Sequence, residues 1–286
     1  MSTPRILVVG SVNLDFVATA AKLPAPGETV TGATLARHPG GKGANQALAA
    51  RRLGAEVALA ARVGRDAMAD EALALLRAGG VDLSACAVDD AAATGVALIA
   101  VAADGENQIV VAPGANAAFS RAHLAVSAND AVICQLEIPM DTVLAVAERA
   151  AGLFCINLAP SASTPDAIFA RADLVVVNEG EAMFQGAALN RTPGLVAVTE
   201  GARGAALYRG GVEIARASPP SVKVVDTTGA GDAFVGALVM ALLEKQPPEQ
   251  ALRFACAAGA LAATKPGAQP SLPLRDAVDR LLAGAA

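Results

Sequence analysis

The sequence predicts an α/β fold, a doubly wound and mostly parallel sheet that is flanked by helices and carries a small β-sheet lid. Short apolar runs such as ILVVGSV and EVALAARVG alternate with longer Ala/Leu segments of helical period, such as ANQALAARRLG and DAMADEALALLRAGG. This alternation is typical of βαβ units, in which helices cover both faces of parallel strands. Two strand-rich segments, 15–37 and 95–112, interrupt the rhythm and predict the lid.

The later elements continue the same pattern. The strands are expected at AVICQLE, LFCINLAP, LVVVNEG and GLVAVTEG, and a further strand at VKVV just before the motif DTTGAGDAF. Helices are expected from about Met140 to Ala150, from about Ala233 to Glu244, from about Glu249 to Thr264 and from about Leu274 to Leu282.

The two interrupting segments both leave the carboxyl end of the predicted sheet. Segment 15–37 has strand-like pieces around the turn LPAPGE, and segment 95–112 predicts a hairpin with its turn at Asp104-Gly105. Open α/β sheets bind ligands in the crevice at that end. We therefore expect a main α/β domain of 1–14, 38–94 and 113–286, which binds ligands in the crevice, and a β lid of 15–37 and 95–112 above the crevice.

Length and composition exclude several classes of protein. A chain of 286 residues is near the size at which one core stops growing, so one large domain with a small satellite is expected. A net charge of −5 and a single Tyr disfavour a nucleic-acid binder. No stretch approaches the roughly 20 apolar residues that span a membrane. The first apolar run leads directly to Asn13 and Asp15 without a cleavage site, so it predicts a first strand, not a signal peptide, and a cytoplasmic location.

The few cysteines and histidines narrow the chemistry further. Cys86, Cys134, Cys155 and Cys256 are far apart and include no C-x-x-C pair, which predicts buried thiols and not disulfides or zinc ligands. Only two histidines, His38 and His123, are present, and they provide little material for a His-rich metal site or a Ser-His-Asp triad.

The strongest local signal is DTTGAGDAF, which opens a predicted helix. Gly229 and Gly231 let the backbone approach a ligand, and the free amides at a helix start attract anions. Asp232 beside these amides suits phosphoryl transfer, in which amides hold phosphoryl oxygens while a carboxylate takes the proton of the attacking hydroxyl. Taken alone, however, Asp232 is better interpreted as a helix cap, because a carboxylate at a helix start is most often only a cap.

Two familiar nucleotide motifs fail on spacing. GGKGAN is not a P-loop, because Ala36 stands at the position of the first Gly and Gly43 at that of Ser or Thr. A Rossmann fingerprint fails because Phe234 stands at its third Gly position.

Polar residues at several predicted strand ends point to one crevice. Asn13 and Asp15, two residues apart, are expected to end the first strand and share one side, where they can chelate neighbouring hydroxyls. In GGKGAN, the glycines allow close approach, while Lys42 and Asn45 offer donors. Taken alone, Asn13 and Asp15 are equally interpreted as a strand-end turn, and GGKGAN as a glycine-rich turn with an exposed lysine. Together with Glu137 and Asp232, however, these residues all fall at carboxyl ends of strands, which converge in an open sheet.

The chain resembles the ribokinases, within the wider family of sugar kinases that includes the minor phosphofructokinases. The resemblance covers nearly the whole length and follows the family's order. Its motifs are SVNLD, LPAPGETVTG, GGKGANQA, DGEN, PGAN, QLE, NEGE, VDTTGAGDAF and KPGAQPS. It implies the family's fold and an ATP-dependent kinase that phosphorylates the 5-hydroxyl of D-ribose, with magnesium, with a monovalent cation such as potassium as activator, and with a homodimer formed through the lid.

The resemblance also implies roles for individual residues. Asp232 is implied as the general base, with the amides of Gly229, Ala230 and Gly231 as the anion hole. The implied sugar ligands are Asn13, Asp15, Gly41, Lys42, Asn45, Glu137 and Asp232. Asn178 and Glu181 match the element that organises magnesium and phosphates through water, and the nucleotide is expected against Thr199, Gly201, Gly204, Gly231 and Cys256. The implied monovalent-cation ligands are Asp226, Thr228, Ala262, Lys265, Gly267 and Ser271, an oxygen-rich set that suits potassium.

The sequence departs from the family in two places, and three functions other than a ribose kinase are alternatives. The crossover between Asn178 and the strand at Leu195 is shorter than in typical ribokinases, with room for one short helix, and Leu158 stands where proline is more usual. The alternatives are a kinase of another furanose (a deoxyribose, a nucleoside or a fructose phosphate), a non-catalytic sugar-binding or regulatory relative, and a purely structural α/β protein.

Overall fold

A large sheet runs through the centre of the computed structural model, which describes residues 3–126 and 129–284. Within those residues the sheet has nine strands, and all pairs are parallel except the last two at one edge. In spatial order the strands are β13 (Val212–Ala217), β12 (Ala205–Arg209), β11 (Leu195–Thr199), β10 (Leu174–Asn178), β9 (Leu153–Asn157), β8 (Ala131–Gln135), β1 (Arg5–Val9), β4 (Glu56–Gly64) and β5 (Cys86–Asp89).

A second, four-stranded sheet forms the lid. Its order is β3 (Thr34–Gly40), β2 (Asn13–Thr19), β6 (Gly95–Val101) and β7 (Asn107–Ala112). The last two strands pair antiparallel, which confirms the predicted hairpin around Gly105. The ends of the predicted main domain, at residues 1 and 286, lie outside the described residues.

Helices cover both faces of the large sheet. They are α1 (Lys42–Arg52), α2 (Ala67–Ala78), α3 (Met140–Arg149), α4 (Asp166–Arg171), α5 (Glu179–Gln185), α6 (Ala230–Leu243), α7 (Pro248–Ala262), α8 (Ala268–Ser271) and α9 (Arg275–Gly284). Local sequence explains their ends. Asp66, for example, caps α2 by accepting a hydrogen bond of 2.9 Å from the Ala69 amide. No helix in the described part of the chain is long and apolar enough to cross a membrane.

Strand β1 shows why the fold has two cores. Ile6 and Val8 pack into one apolar cluster, with α1, α6 and α7, whereas Leu7 and Val9 pack into another, with α3 and α4. Successive side chains of a strand point to opposite faces, so a run of consecutive apolar residues is required when both faces are covered. The predicted fold class, a doubly wound α/β sheet with a β lid, is confirmed.

Two strand predictions are wrong in detail. Asn13 and Asp15 do not end the first strand; β1 stops at Val9, and these residues begin β2 in the lid. Residues 222–225, VKVV, form no strand. Val224 and Val225 are exposed, and Val225 N–H donates at 2.8 Å to Ala263 O, just after α7, instead of to a neighbouring strand. An isolated apolar run without a strand partner has no ladder to join.

The sheet edge near β11 contains elements that the sequence did not predict. The residues AALYRGGVEIARA form the antiparallel pair β12 and β13, which turns at Gly210 and Gly211. The short crossover after Asn178 holds α5 and one further turn at Gly186–Arg191, and it still brings β11 beside β10. The shortened segment therefore keeps the parallel register of this edge.

Candidate active site

The start of α1 is built on a glycine whose positive φ and close packing both disfavour a side chain. Gly41 has φ +87°, and a Cβ added there would lie 2.7 Å from the backbone nitrogen of Asn13. This close approach aims the first turn of α1 at the crevice. The Lys42 amide then donates to Glu137 Oε2 at 3.0 Å, and the Ser11 hydroxyl donates to the same carboxylate oxygen. Three predicted site residues, Gly41, Lys42 and Glu137, are thus brought together.

Asp232 lies in the first turn of α6, directly after Gly229, Ala230 and Gly231. Its carboxylate is buried and receives two amide donors from α1: Asn45 Nδ2 to Oδ2 at 2.8 Å, and Gln46 Nε2 to Oδ1 at 2.9 Å. Burial raises the pKa of Asp232, and the Glu137 charge adds to the rise, while Lys42 and the two amide donors oppose it. A carboxylate with a raised pKa and lone pairs still available is suited to accept a proton.

Charged side chains of both signs surround this carboxylate. Burial and the charges of Glu137 and Asp232 raise the pKa of Asp15 to about 7. Burial by itself would lower the pKa of the Lys42 ammonium, but the combined field of Asp232, Glu137 and Glu181 raises it. Lys42 therefore stays charged, and it offsets part of the repulsion among the carboxylates.

The lid side of the crevice carries Asn13 and Asp15. Asn116 Nδ2 donates to Asn13 Oδ1 at 2.8 Å and to Val12 O at 3.0 Å, so the Asn13 amide presents its NH2 group as the remaining donor. Asp15 lies against Gly40, where an added Cβ would be 2.2 Å from its Oδ2. Within the described residues, the buried Oδ1 of Asn45 has no hydrogen-bond partner. A hydroxyl-rich ligand fits this mixture of donors and acceptors.

A second cavity, of about 530 Å³, lies on the other side of Asp232. Gly231 lines it, and a Cβ at Gly231 would meet nothing within 4 Å, so the backbone there is open to the cavity. The predicted nucleotide residues Thr199, Gly201, Gly204 and Cys256 also line this cavity, and so does Ala230. Of the three predicted anion-hole amides, that of Ala230 donates to Thr227 O at 3.1 Å, so it is engaged in the turn.

Asn178 and Glu181 form a reciprocal cap at the start of α5. Asn178 Oδ1 accepts from the Glu181 amide, and Glu181 Oε2 accepts from the Asn178 amide, both at 2.8 Å. Burial raises the pKa of Glu181, while the Asn178 amide and the Lys42 charge oppose the rise. The two side chains thus hold the start of α5 together, and the charge of Glu181 is coupled to the crevice through Lys42.

The six predicted monovalent-cation ligands surround the loop between α7 and α8. Asp226 Oδ1 accepts from the amide and hydroxyl of Thr228, and its Oδ2 accepts from the Gly267 amide at 2.8 Å. Ala262 ends α7, where carbonyls lack intrahelical partners. Lys265 follows in this loop, and the Ser271 hydroxyl closes α8 by donating to Ala268 O at 2.7 Å. One carboxylate among carbonyl and hydroxyl oxygens fits a hard monovalent cation.

Sequence reasoning did not identify the buried polar residues that hydrogen-bond to the predicted site residues. Ser11 and Asn116 hold Glu137 and Asn13, and Gln46, Gln135 and Asn157 form a buried chain that leads to Asp232. The signal was present in the helix GGKGANQALAA, because a glutamine among alanines on a buried face needs polar partners. All four cysteines are free thiols; three are buried and Cys86 is half-buried.

Comparison with known proteins identifies the family of this chain. The sequence profile described as pfkB family carbohydrate kinase matches residues 3–275. The chain belongs to the pfkB family of carbohydrate kinases. The expectation of a phosphotransferase with an alcohol group as acceptor is confirmed with the family.

Individual members of the pfkB family are similar over their whole lengths. The chain is 38% identical to the ribokinase of Bacillus subtilis, with 97% of this chain and 99% of that protein covered. The crystal structure of ribokinase from Thermotoga maritima is similar to this chain with a TM-score of 0.88 at 32% identity. The superposition covers 98% of this chain and 99% of the Thermotoga maritima chain. The Arabidopsis thaliana ribokinase, solved with ribose and ATP, has a TM-score of 0.87 at 30% identity, with 98% and 99% covered.

Proposed function

We propose that the protein transfers the γ-phosphoryl group of ATP to the 5-hydroxyl of D-ribose and yields ribose 5-phosphate and ADP. The observation that carries the proposal is the position of two consecutive residues of α6. Gly231 lines the cavity of about 530 Å³, whereas Asp232 bonds to Asn45 in the polar crevice. A nucleotide in the cavity and a sugar in the crevice would meet at this one turn of helix. Ribose and ATP are proposed as this sugar and nucleotide because the similar ribokinase of Arabidopsis thaliana was solved with both.

The sugar is proposed to bind through hydroxyl contacts in the crevice. The NH2 group of Asn13, the unpartnered Oδ1 of Asn45 and the carboxylate of Asp15 offer donors and acceptors side by side. Glu137 is half-buried beside them, with one oxygen already held by the Ser11 hydroxyl and the Lys42 amide. The full proposed set is Asn13, Asp15, Gly41, Lys42, Asn45, Glu137 and Asp232.

The reaction follows from the position of Asp232. Its carboxylate takes the proton of the sugar hydroxyl as the hydroxyl oxygen bonds to the γ-phosphorus, and the bond from that phosphorus to the β,γ-bridging oxygen breaks to release ADP. Gly229, Ala230 and Gly231, at the start of α6, place the positive end of the helix beside the developing negative charge. The lid closes the crevice against water, which would otherwise accept the phosphoryl group.

Two cations are part of the proposal. Mg²⁺ bound with ATP would neutralise phosphate charge, and Asn178 and Glu181 would organise it through water, with Thr199, Gly201, Gly204 and Cys256 around the nucleotide. The K⁺ activator would supply a fixed positive charge, held by the oxygens of Asp226, Thr228, Ala262, Lys265, Gly267 and Ser271. Asp226 already ties both sides of that loop together through Thr228 and Gly267.

The lid supports a proposed homodimer. Leu98 and Val110 are directly opposed on β6 and β7, and they are 52% and 65% exposed. Opposed residues share one face of a sheet, so these side chains form an apolar patch that a second copy can cover. Two further predictions stand beside the dimer. One is the division of the chain into a main domain and a lid of 15–37 and 95–112, and the other is the cytoplasmic location.

A panel of acceptors tests the proposed function. We expect ADP release, measured by a coupled assay, to be fastest with D-ribose when deoxyribose, nucleosides and fructose phosphates are compared at equal concentration. A higher kcat/KM for one of these acceptors would replace ribose as the substrate. Binding of ribose and ATP without ADP release for any acceptor would contradict the assignment as a kinase.

A further inference from the structure

Gln46 is a buried glutamine on α1 whose whole amide group is engaged. Its side chain is 0% exposed. Nε2 donates to Asp232 Oδ1 at 2.9 Å and to Asn157 Oδ1 at 3.1 Å, while Oε1 accepts from Gln135 Nε2 at 2.6 Å. All the hydrogen-bonding capacity used by the Gln46 amide is therefore met inside the protein, although the buried Oε1 of Gln135 has no partner among the described residues. Buried hydrogen bonds of this kind hold a side chain in one arrangement.

The neighbours of Gln46 allow only one orientation of its amide. An ionised carboxylate accepts but does not donate, so Asp232 requires the NH2 end. Asn157 requires the same end, because its own Nδ2 donates to Val176 O at 3.1 Å and turns its Oδ1 toward Gln46. Gln135 donates to the opposite end. The reverse orientation would set oxygen against oxygen on the Asp232 side.

Gln46 acts on Asp232 without contact to either substrate region. Among the described residues, Gln46 lines neither the cavity of about 530 Å³ beside Gly231 nor the cavity beside Asn13. The other groups that face Asp232 are Asn45 from the same helix and the charges of Lys42, Glu137 and Asp15. Gln46 itself is uncharged, so it holds the carboxylate by donation and not by net charge.

We infer that Gln46 is a positioning residue for the proposed general base. Its N–H group holds Oδ1 of Asp232 toward α1 and favours the ionised carboxylate, and Gln135 and Asn157 hold Gln46 in turn. This role rests on the proposed function, because it presupposes that Asp232 takes a proton from the sugar hydroxyl. A side chain of the same length without an N–H donor would leave the fold in place and the base less ionised.

The test compares pH profiles of kcat/KM for ribose in the wild type and in Gln46→Met, from about pH 5 to about pH 9. Loss of the donor raises the pKa of the base, so the acid limb should move to higher pH, with about a tenfold loss of kcat/KM on the acid side. Ribose affinity, measured by calorimetry, should change less than about threefold because Gln46 does not reach the sugar. An unmoved acid limb in an active, folded Gln46→Met enzyme would overturn the inference.

Two further variants separate donation from packing. Gln135→Met makes the same change in the same cluster but leaves the Gln46 donor to Asp232, so its acid limb should move less than that of Gln46→Met. An equal shift would assign the effect to loosened packing and contradict the inference. Gln46→Glu keeps the volume and the acceptor for Gln135, and it should shift the limb further than Gln46→Met; it also provides the measurement if Gln46→Met does not fold.

A readout that does not depend on turnover distinguishes this inference from the proposed function. Carbon-13 NMR of labelled aspartate carboxyls, with Asp232→Asn to assign the signal, follows the titration of Asp232 directly. A higher midpoint in Gln46→Met or Gln46→Glu than in the wild type supports the role of Gln46, and an equal midpoint overturns it. If the wild type releases no ADP with any sugar while the midpoint shifts, the proposed function fails and the effect of Gln46 on Asp232 stands.

Discussion

Asn45 Nδ2 donates a hydrogen bond of 2.8 Å to Oδ2 of Asp232, although 187 positions separate the two residues along the chain. The bond joins the first turn of α1 to the first turn of α6, whose helices also pack against each other. The two glycine-rich motifs of the sequence therefore form one site. Each motif supplies a helix start, and the buried carboxylate lies where the two starts meet.

Asp232→Asn tests the proposed base. Without a carboxylate, the attacking hydroxyl has no acceptor for its proton, so kcat should fall by about 10²- to 10⁴-fold. Ribose affinity should stay within a few-fold, since the other sugar ligands remain. Steady-state kinetics and calorimetry measure the two effects. Asp70→Asn, on the exposed face of α2, is the control and should behave as wild type; near-normal turnover of Asp232→Asn would show that another group takes the proton.

Asp15 predicts an unusual pH dependence of stability in the sugar-free protein. Its pKa of about 7 lies above the unfolded value of 3.8, so the folded state binds the proton more tightly. The free energy of unfolding should therefore fall as pH rises from about 4 to about 7, by up to about 4 kcal/mol from this group. Urea unfolding at pH values on either side of this window measures the fall, and Asp15→Asn should reduce it. An Asp15→Asn variant with the wild-type slope would contradict the raised pKa.

Asp15 should also make ribose binding depend on pH. The ionised carboxylate accepts hydrogen bonds from sugar hydroxyls, whereas the protonated form offers one fewer acceptor. Ribose affinity should therefore increase as pH rises through about 7, the pKa of Asp15. Calorimetric titration across this range measures the change. The dependence should be largely absent in Asp15→Asn, and a pH-independent affinity in the wild type would argue against Asp15 as a sugar ligand.

Gly41→Ala and Gly27→Ala form a matched pair, because the two glycines have φ values of +87° and +81°. A positive φ disfavours alanine at either position and costs on the order of 1 to 3 kcal/mol. At Gly41 the added Cβ would also clash with the Asn13 nitrogen at 2.7 Å, whereas at Gly27 nothing lies within 4 Å. Gly41→Ala should lose most of its activity as well as stability, and Gly27→Ala should lose stability alone. Equal kinetics in the two variants would contradict the close packing at Gly41.

Gly231→Ala separates nucleotide binding from folding. The new methyl group would point into open space at the cavity of about 530 Å³, with nothing within 4 Å. Thermal stability should therefore stay close to wild type, while the KM for ATP rises several-fold because the methyl group occupies space beside the phosphates. Kinetics at varied ATP and a melting curve check both. An unchanged KM for ATP would place the nucleotide elsewhere.

Leu98→Glu tests the proposed dimer. A charge in the centre of the exposed lid patch would be costly to bury against a second copy, so light scattering should show a monomer for the variant and a dimer for the wild type. Lys22→Glu, on an exposed part of the segment between β2 and β3, is the control for a change of lid charge. A monomeric wild type at high concentration would contradict the dimer.

The sequence by itself determined the fold class and the two halves of the site. Consecutive apolar residues in β1 and alternating helical segments required strands covered on both faces, and the glycine motifs marked the helix starts at α1 and α6. These signals are local, because they depend on periodicity and on the backbone freedom of glycine. The predictions that were wrong are also local, since VKVV has strand-forming residues but no neighbouring strand to pair with.

Only the tertiary structure decided which strand carries Asn13 and Asp15, how Asn116 turns the Asn13 amide, and which residues support Asp232. Gln46, Gln135 and Asn157 come from a helix and two different strands, and nothing in their sequence neighbourhoods relates them to one another. The pKa of Asp15 is likewise set by burial together with charges from Glu137 and Asp232, more than 100 positions away. Desolvation and hydrogen-bond direction depend on what surrounds a group in space, and that becomes defined only when the chain has folded.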